Sequence, residues 1–333
     1  MDGKIRVGFV GSEHVHGPFI LRTLLKLPDV YEIVGVCDVR ETPKGSPYEP
    51  YEDLKKVPLD ELLSDKSVDA MIIETAEWDS LDVALKCAEA GKPIHMDKPA
   101  GTDCDKFERV LSTLKCKNLP FSIGYMYRSN WAVRYMLDAV RRGKLGDIHE
   151  VNARMSIQHR PQDRALLNKY PGGMMYFLVC HLIDLVYTVM GEPEEIIPTI
   201  VTHTVDGLSS PDDATLVMRY QNGTSVVRAC SLEVNGFSRR ECSVCGSNGT
   251  IEIKPMEEPQ IMRETYKDYA RNHWHNVDVP QYRDRYEIMM AEFAQMVRGE
   301  LKNPYTFEHE AKLQRMILAA CGLNVDWKKE IKL

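Results

Sequence analysis

Residues 5–17 read IRVGFVGSEHVHG, and this stretch decides how the first third of the chain folds. A strand-forming run, Ile5–Val10, leads into a glycine, and a helical pattern over Pro18–Leu27 follows. A strand, a glycine turn and a helix N-terminus together form the phosphate-binding turn of dinucleotide-binding domains. Asp38 ends the next apolar run, Ile33–Cys37, where an acidic residue accepts from a ribose 2′-hydroxyl and disfavours a 2′-phosphate. The stretch therefore predicts a dinucleotide site that prefers NAD to NADP.

The glycine fingerprint of that turn is incomplete. In the pattern G-x-G-x-x-G counted from Gly11, Glu13 stands at the second glycine and His16 at the third. A carboxylate about 5 Å from a phosphate charge costs roughly 3 kcal/mol at an effective dielectric constant of 20. Either Glu13 points away or the turn differs, and His14, His16 and Gly17 are candidates to bind the phosphates through imidazole and backbone donors. The alternative is a doubly wound domain that binds another ligand or none.

Apolar runs alternate with helical patterns up to about residue 125. Such alternation predicts βαβ units around a parallel sheet, whose buried strands form continuous apolar runs. Residues 41–58 are predicted to be a surface connection. The further runs are Asp69–Ile73, Pro93–Met96 and Pro120–Gly124, and the further helices are Leu59–Leu63, Asp79–Ala90 with Asp79 as the candidate N-cap, and Asp105–Lys115.

The pattern changes after residue 125 to strand-like stretches joined by turns, which predicts a mostly antiparallel sheet. Gln221-Asn222-Gly223 is a hairpin signal between two of them. Residues 158–171 are predicted to be a polar loop and residues 255–283 to be irregular. The predicted strands are His149–Met155, Ile196–His203, Ala214–Tyr220, Ser225–Leu232, Glu241–Val244 and Thr250–Ile253, and the predicted helices are Trp131–Arg142, Met174–Met190, Tyr286–Arg298 and Phe307–Cys321.

Composition excludes several classes of protein. A length of 333 residues indicates about two domains, and a net charge of −7 offers no overall basic surface for nucleic acid. No apolar run reaches the roughly 20 residues that span a bilayer, and the charged N-terminus is not expected to be a signal peptide. Nine cysteines without clustering favour the cytoplasm over a disulfide framework. Cys242 and Cys245 have C-x-x-C spacing, but no second pair completes a zinc motif, so they are interpreted as strand residues and no metal site is predicted.

Further stretches along the chain carry a family resemblance. Together they resemble the glucose–fructose oxidoreductase, inositol dehydrogenase and rhizopine-catabolism (Gfo/Idh/MocA) family over essentially the whole length. The Asp-Lys-Pro element and the Gly-Gly…His-x-x-Asp element are the more specific ones. The stretches are VDAMIIETA (68–76), ALKCAEAGKP (84–93), MDKP (96–99), GYMYR (124–128), GGMMYFLVCHLID (172–184), GSNGTI (246–251) and FEHEA (307–311).

The resemblance implies two domains. Residues 1–125 are expected to form an α/β Rossmann domain with a doubly wound parallel sheet that binds NAD. Residues 126–333 are expected to form an α+β domain with an open-faced, mainly antiparallel sheet that binds substrate and mediates assembly. The predicted cofactor-binding residues are Gly8, Gly11, Ser12, His14, Asp38, Arg40, Thr75 and Lys98.

Two residues match the family's catalytic positions. Lys98 matches the lysine of its Glu-Lys-Pro motif, and His181 matches its catalytic histidine. As hydride leaves carbon the hydroxyl must lose a proton, which an imidazole is suited to take. An ammonium group can stabilise the negative charge that develops on oxygen. Without the resemblance, Lys98 would be interpreted as an exposed loop cation and His181 as a helix histidine with satisfied hydrogen bonds.

One departure from the family concerns the histidine. Family dehydrogenases carry an aspartate four residues before it, and here that position is Phe177. Tyr176, Asp184 and Tyr127 are candidate replacements, although the His-x-x-Asp aspartate is also a structural element in the family. In the loop at 158–171, two arginines suit an anionic group by bidentate hydrogen bonding, or belong to a solvated run of charges. The predicted substrate-binding residues are Tyr127, Arg128, Arg160, Arg164 and Asp184.

The leading hypothesis is an NAD-dependent dehydrogenase or reductase that acts on a secondary alcohol or ketone of a sugar, cyclitol or sugar derivative. The alternatives are a lyase, hydratase or glycoside-cleaving enzyme on the same scaffold, and a non-catalytic ligand-binding protein. A small carbohydrate-like substrate is expected, with neither nucleic acid nor membrane as partner. Apolar residues of the second sheet, together with the resemblance, predict a homodimer or homotetramer; these residues are Val217, Val226, Val227, Ile251 and Ile253.

Overall fold

The computed structural model describes residues 3–38, 51–268, 273–281 and 284–333. The chain divides into two compact units. The first unit comprises Met1–Met126, Asp284–Gln314 and Glu330–Leu333. The second comprises Tyr127–Arg283 and Arg315–Lys329.

The first unit is built on a parallel sheet of five strands in the order β2-β1-β3-β4-β5. Every residue of β3, β4 and β5 is buried, which requires cover on both faces and accounts for their continuous apolar sequences. The doubly wound α/β prediction is confirmed. The strands are β1 (Ile5–Val10), β2 (Tyr31–Cys37), β3 (Ala70–Ile73), β4 (Ile94–Met96) and β5 (Phe121–Ile123).

Helices of the first unit pack against this sheet and against one another. They are α1 (Gly17–Lys26), α2 (Leu59–Ser64), α3 (Ser80–Glu89), α4 (Cys104–Cys116) and α8 (Glu287–Arg298). Asp103 caps α4 by accepting a hydrogen bond from the main-chain N–H of Lys106 at 2.9 Å. Asp79 occupies the cap position of α3 as predicted, but its side chain makes no capping hydrogen bond. Of the predicted surface connection at 41–58, residues 41–50 lie outside the described part of the chain.

The second unit is built on an eight-stranded, mostly antiparallel sheet in the order β13-β12-β11-β10-β6-β9-β8-β7. Buried and exposed residues alternate along β9, so one face packs on the core and the other is open. This confirms the predicted open-faced sheet. The strands are β6 (Ile148–Arg154), β7 (Glu195–Val205), β8 (Leu208–Tyr220), β9 (Gly223–Cys230), β10 (Glu241–Gly246), β11 (Gly249–Ile253), β12 (Met262–Tyr266) and β13 (His275–Val277).

Helix α7 covers the buried face of that sheet by packing on β6 and β9. The predicted hairpin at 221–223 joins β8 to β9, with Tyr220 opposite Gly223. The remaining helices are α5 (Trp131–Arg141), α6 (Pro161–Leu166), α7 (Cys180–Met190) and α9 (Phe307–Ala320), the last of which runs from the first unit into the second.

Four sequence expectations for the second unit need correction. The loop at 158–171 contains α6 and a 3₁₀ turn, because Pro161 suits the first turn of a helix. The segment at 255–283 contains β12 and β13, which extend the sheet at one edge. The predicted helix from Met174 begins as a π-helical segment, Met175–Val179, before α7. Finally, three of the five residues expected on the assembly face point into the core; these are Val227, Ile251 and Ile253, each fully buried.

Candidate active site

The candidate site of the first unit lies at the carboxyl edge of the parallel sheet, where ligands of open α/β sheets bind. Gly11 follows β1, Glu74 follows β3, Asp97 follows β4 and Gly124 follows β5. Main-chain hydrogen bonds continue the sheet through these residues, from Glu74 N–H to Val10 O and from Asp97 N–H to Ile73 O. The sheet therefore brings four separate loops to one edge.

The turn after β1 packs closely against the main chain of the loop after β3. Gly11 has a φ of +86°, and a Cβ there would lie 2.6 Å from the main-chain nitrogen of Thr75. The buried Oγ1 of Thr75 has no hydrogen-bond partner among the described residues, so it is available to a bound molecule. Asp38 is exposed at the end of the neighbouring β2, where it can accept from a ribose. Gly11, Thr75 and Asp38 thus fit the adenosine and pyrophosphate portion of NAD.

The other predicted cofactor residues differ in placement. Gly8 lies within β1, and its missing side chain leaves room for Met71, whose Sδ would be 2.8 Å from a Cβ at Gly8. Ser12 is buried in the turn itself. Arg40 lies outside the described residues. Gly8 therefore serves packing in this structure, whereas Ser12 remains a cofactor candidate.

The imidazole of His14 is turned inwards beneath the turn. Its Nδ1 accepts from the main-chain N–H of His16 at 3.2 Å, and its Nε2 is 3.2 Å from the carbonyl oxygen of Lys98. These two partners assign the proton to Nε2. Burial lowers the pKa of His14 to about 3, against the raising effect of Asp97. At neutral pH the ring is therefore uncharged and occupied by protein contacts, which does not fit the expected role of a phosphate donor.

Acidic side chains surround that imidazole. Glu74 Oε2 and Asp97 Oδ2 lie 3.5 and 3.4 Å from His14 Nδ1, and Glu77 Oε1 lies 3.5 Å from its Nε2. Burial, followed by the charge of Asp97, raises the pKa of Glu74 well above its usual range. Burial also acts to raise the pKa of Asp97, but the neighbouring histidines and Lys98 outweigh it and hold the pKa of this carboxyl well below its usual range.

Lys98 follows Asp97 in the chain and is almost completely buried. This burial excludes the interpretation of Lys98 as an exposed loop cation. Its main-chain N–H donates to Asp97 Oδ1 at 2.7 Å, and its carbonyl oxygen faces His14. Asp97 in turn fits because position 124 lacks a side chain, since a Cβ on Gly124 would lie 2.7 Å from Asp97 Oδ1. The phosphate turn and the predicted catalytic lysine are thus connected through one hydrogen-bonded cluster.

In the second unit, His181 lies in the first turn of α7 and is buried. The ring of Tyr127 meets it edge-to-face, with ring centroids 5.7 Å apart. The hydroxyl of Tyr127 donates to Glu257 Oε1 at 2.7 Å, and Arg240 Nη1 donates to the same oxygen at 2.6 Å. This network holds the tyrosine ring against the predicted catalytic imidazole. The sequence carried no signal for Arg240 and Glu257, which come from distant segments without a motif.

Arg128 and Asp184, both predicted substrate residues, bind each other. Arg128 Nε lies 3.0 Å from both carboxylate oxygens, and its Nη2 lies 2.6 Å from Oδ1. Asp184 is only 1% exposed. The pair fixes the segment after Tyr127 to α7, which agrees with the structural alternative for Asp184.

The two loop arginines have different environments. Arg160 is largely exposed and pairs with Asp163 at 2.8 Å, so it can still reach a ligand. Arg164 is fully buried, and its guanidinium donates to Asp206 at 3.1 Å and Asp212 at 3.0 Å. A buried guanidinium committed to two carboxylates does not fit the expected binding of a substrate anion.

Phe177 belongs to an aromatic cluster. Its ring stacks on Tyr170 and meets His159 edge-to-face, with centroid distances of 5.6 Å in both cases. Phe177 lies within the π-helical segment that precedes α7. In an ordinary α-helix, residues four positions apart are neighbours on one face. Phe177 and His181 are four positions apart, but the π-helical turn between them changes that geometry.

These features define a Rossmann-type oxidoreductase domain joined to a second unit with an open-faced sheet. Residues 5–125 match the family model described as an oxidoreductase family with an NAD-binding Rossmann fold. Residues 133–252 match the model for the GFO/IDH/MocA C-terminal domain. The chain belongs to the GFO/IDH/MocA family, as the sequence resemblance predicted, and its cofactor is NAD.

Individual relatives are distant but cover the chain well. A myo-inositol 2-dehydrogenase of Thermotoga maritima is 22% identical over 99% of this chain and 98% of its own. A 2,7-anhydro-N-acetylneuraminate hydratase of Escherichia coli is 22% identical over 78% of this chain and 69% of its own. The structure of a levoglucosan dehydrogenase in complex with NADH and levoglucosan superposes with a TM-score of 0.80 at 15% identity, covering 96% of both chains. Within the described ranges, no helix has the length and apolar character needed to cross a membrane.

Proposed function

We propose that this protein transfers hydride between NAD(H) and a secondary alcohol or ketone of a sugar, cyclitol or sugar derivative. The observation that carries the proposal is the position of Lys98, buried at the carboxyl edge and hydrogen-bonded through its carbonyl oxygen to His14 of the phosphate turn. The inositol dehydrogenase and the levoglucosan dehydrogenase among the relatives support this class of substrate. We also propose a cytoplasmic homo-oligomer.

In this proposal each residue has a separate task. Gly11, Thr75 and Asp38 hold the dinucleotide, which supplies or accepts the hydride. The Lys98 ammonium orients the substrate oxygen and stabilises the negative charge that develops on it. His181 takes the hydroxyl proton during oxidation and returns it during reduction. Tyr127 holds the imidazole by ring contact and takes over the positioning role that an aspartate has in family dehydrogenases.

A variant series tests this assignment. We expect His181→Ala to reduce turnover about 10²- to 10⁴-fold, the usual contribution of a general acid–base group, with little change in the dissociation constant of NADH. Lys98→Met should be comparably damaging to turnover. His149→Ala, a histidine exposed on β6, is the matched control and should retain activity. Full dehydrogenase activity in His181→Ala would refute the proton-transfer assignment. The substrate itself is sought by assaying sugars and cyclitols with NAD.

A hydratase or lyase is the second candidate, and Phe177 is the observation that favours it. Phe177 stands four residues before His181, where family dehydrogenases have a carboxylate. Its ring packs on His159 and Tyr170 instead. The anhydro-sugar hydratase among the relatives also supports this alternative. A substrate converted by addition or loss of water, with no net change in NADH absorbance, would establish the second candidate in place of the first.

A further inference from the structure

We propose that the imidazole of His16 binds the pyrophosphate of NAD(H) and takes up a proton from solution when the cofactor binds. His16 stands at the third glycine position of the fingerprint and is the N-cap residue of α1. In dinucleotide-binding domains, this end of the first helix faces the pyrophosphate. The proposal rests on NAD as the cofactor and does not depend on whether the enzyme transfers hydride or adds water.

The main chain at the start of α1 offers few donors to a phosphate group. Gly17 N–H donates to His14 O at 3.0 Å, and Phe19 N–H donates to His16 O at 2.8 Å. Pro18, which lies between them, has no N–H. Helix N-termini usually bind phosphate through free main-chain N–H groups. Because the first three residues of this helix supply none, a side-chain donor has to take their place.

Asp97 fixes the orientation of the His16 ring. Asp97 Oδ2 lies 3.0 Å from His16 Nδ1, and the carboxylate is almost completely buried. The ring of Tyr286 packs on the imidazole with centroids 5.5 Å apart, and the ring of His14 meets it edge-to-face at 4.9 Å. The His16 side chain is 15% exposed, and its Nε2 makes no hydrogen bond in the described part of the chain. Nδ1 is therefore occupied by Asp97, and Nε2 is the atom that can bind a ligand.

A bound phosphate group changes the preferred charge of this ring. Burial lowers the pKa of His16 from its usual value, against the raising effect of Asp97, so the ring is mostly neutral at neutral pH. The neutral ring donates Nδ1–H to Asp97, which leaves a lone pair on Nε2 that cannot donate to phosphate. In the protonated ring, Nε2 donates as well, and the imidazolium lies between two anions. Because opposite charges favour the protonated form, cofactor binding and proton uptake promote each other.

Two neighbours of His16 are held in one protonation state. Burial lowers the pKa of His14 to about 3, and both of its ring nitrogens contact protein atoms, so this ring stays neutral. Burial raises the pKa of Glu74 well above its usual range, which favours the uncharged carboxylic acid. A nearby anion strengthens that preference. Neither residue is therefore expected to take up a proton when NAD(H) binds.

Four further ionisable groups lie around the two imidazoles. The positive charges of Lys98 and Arg285 lower the pKa of His16 and so oppose its protonation. Burial raises the pKa of Tyr286, which keeps its hydroxyl neutral. Glu77 is a buried carboxylate, and its Oε1 lies 3.5 Å from Nε2 of the neighbouring imidazole. Glu77 is therefore the group that the experiment has to separate from His16.

Calorimetry of NADH binding tests the proposal. Titrations at one pH in two buffers with different ionisation enthalpies count the protons that are taken up. We expect net uptake of up to about one proton per NADH between about pH 6 and 8, where a perturbed histidine titrates. The dissociation constant of NADH should then fall by up to about tenfold for each pH unit of acidification. Binding of NADH without proton uptake would overturn the proposal and leave NAD as the cofactor.

Two variants and one spectroscopic measurement locate the proton. His16→Gln keeps a polar side chain next to Asp97 but removes the titrating group, so NADH should bind without proton uptake. Glu77→Gln is the matched control, because it removes the neighbouring buried carboxylate and should retain the uptake. In NMR spectra of the unmodified protein, the ring signal of His16 should titrate at a higher pH with NADH than without it. Uptake that persists in His16→Gln, uptake that vanishes in Glu77→Gln, or an unchanged titration of His16 would refute the assignment.

Discussion

Arg128 holds Asp184 in a buried ion pair, with three nitrogen–oxygen contacts of 2.6–3.0 Å. Loss of one partner leaves the other charge buried without compensation, which typically costs about 3–5 kcal/mol. We therefore expect Asp184→Ala to lower the free energy of unfolding by that amount in denaturant titrations. Asp138→Ala removes the exposed partner of Arg142 and should cost less than about 1 kcal/mol. Undiminished stability of Asp184→Ala would return this residue to a purely substrate-binding role.

Cofactor preference depends on Asp38. Its exposed carboxylate should repel a 2′-phosphate by roughly 1 kcal/mol per charge at 4 Å even in bulk water, so NAD(H) should bind at least about fivefold more tightly than NADP(H). Asp38 has a φ of +53°, a region that asparagine also tolerates. Asp38→Asn removes the charge without straining the turn. This variant should have a smaller preference for NAD(H) over NADP(H). Calorimetric titration that finds NADP(H) tighter in the unmodified protein would contradict the assignment.

The Gly11 turn predicts a sharp difference between two glycine substitutions. Gly11→Ala places a Cβ 2.6 Å from Thr75 and should abolish NADH binding, measured by fluorescence titration, as well as destabilise the fold. Gly91 has a similar φ of +78°, but a Cβ there meets nothing within 4 Å. Gly91→Ala should therefore cost only about 1–2 kcal/mol of left-handed strain and leave NADH affinity intact. Equal NADH affinities in the Gly11→Ala and Gly91→Ala variants would show that the Gly11 turn does not bind the cofactor.

Cys242 and Cys245 should not form a disulfide. Residues three apart on a strand point to opposite faces of the sheet, and β10 places Cys242 opposite Ile253 and Cys245 opposite Thr250. Burial raises the pKa of the Cys242 thiol to about 12, so little thiolate is present at neutral pH. We expect a thiol reagent to label exposed Cys116 before Cys242 in the native protein. Mass spectrometry that finds a 242–245 disulfide after mild oxidation would refute this prediction.

The exposed apolar residues of the open sheet face predict where copies of the chain associate. Val226 is 40% exposed on β9, on the same face as the exposed residues Thr224 and Arg228, and Ile197 is 44% exposed on β7. If this face is covered by a second copy, Val226→Arg should convert a dimer or tetramer into monomers in light scattering at micromolar concentration. The core residue Val227 offers no such test, because its replacement would unfold the unit. A monomeric unmodified protein would rule out the predicted homo-oligomer.

The parallel sheet was predictable because buried strands are apolar throughout, and the observed strands begin and end within two residues of the predicted ones. Strands β12 and β13 were missed because their sequences, MRETY and HNV, are short and mostly polar. The residues named for assembly were partly misplaced because apolar character does not state which face of a strand is buried. The exposed fraction of each strand side chain depends on the pairing register of the strand, and tertiary packing decides that register.

The candidate site also contains residues whose positions the sequence predicts and residues whose positions it does not. Gly11, Asp38 and Lys98 follow recognisable strands or motifs, so their positions could be anticipated. The inward orientation of His14 could not, since it depends on Glu74, Asp97 and the carbonyl of Lys98, which are 60 or more residues away along the chain. Likewise, the sequence pattern favours Arg164 as a ligand-binding cation, because its carboxylate partners lie about 40 residues further along the chain, on the β7–β8 hairpin.

Arg164 also has a mechanical consequence. Asp206 lies at the tip of the β7–β8 hairpin and Asp212 lies within β8, so one guanidinium joins α6 to two points of that hairpin. A displacement of α6 must either carry the hairpin tip with it or break two ion pairs at once. Amide hydrogen exchange in residues 161–169 and 205–212 should accordingly rise and fall together as substrate analogues are added, as though the two segments were a single moving part.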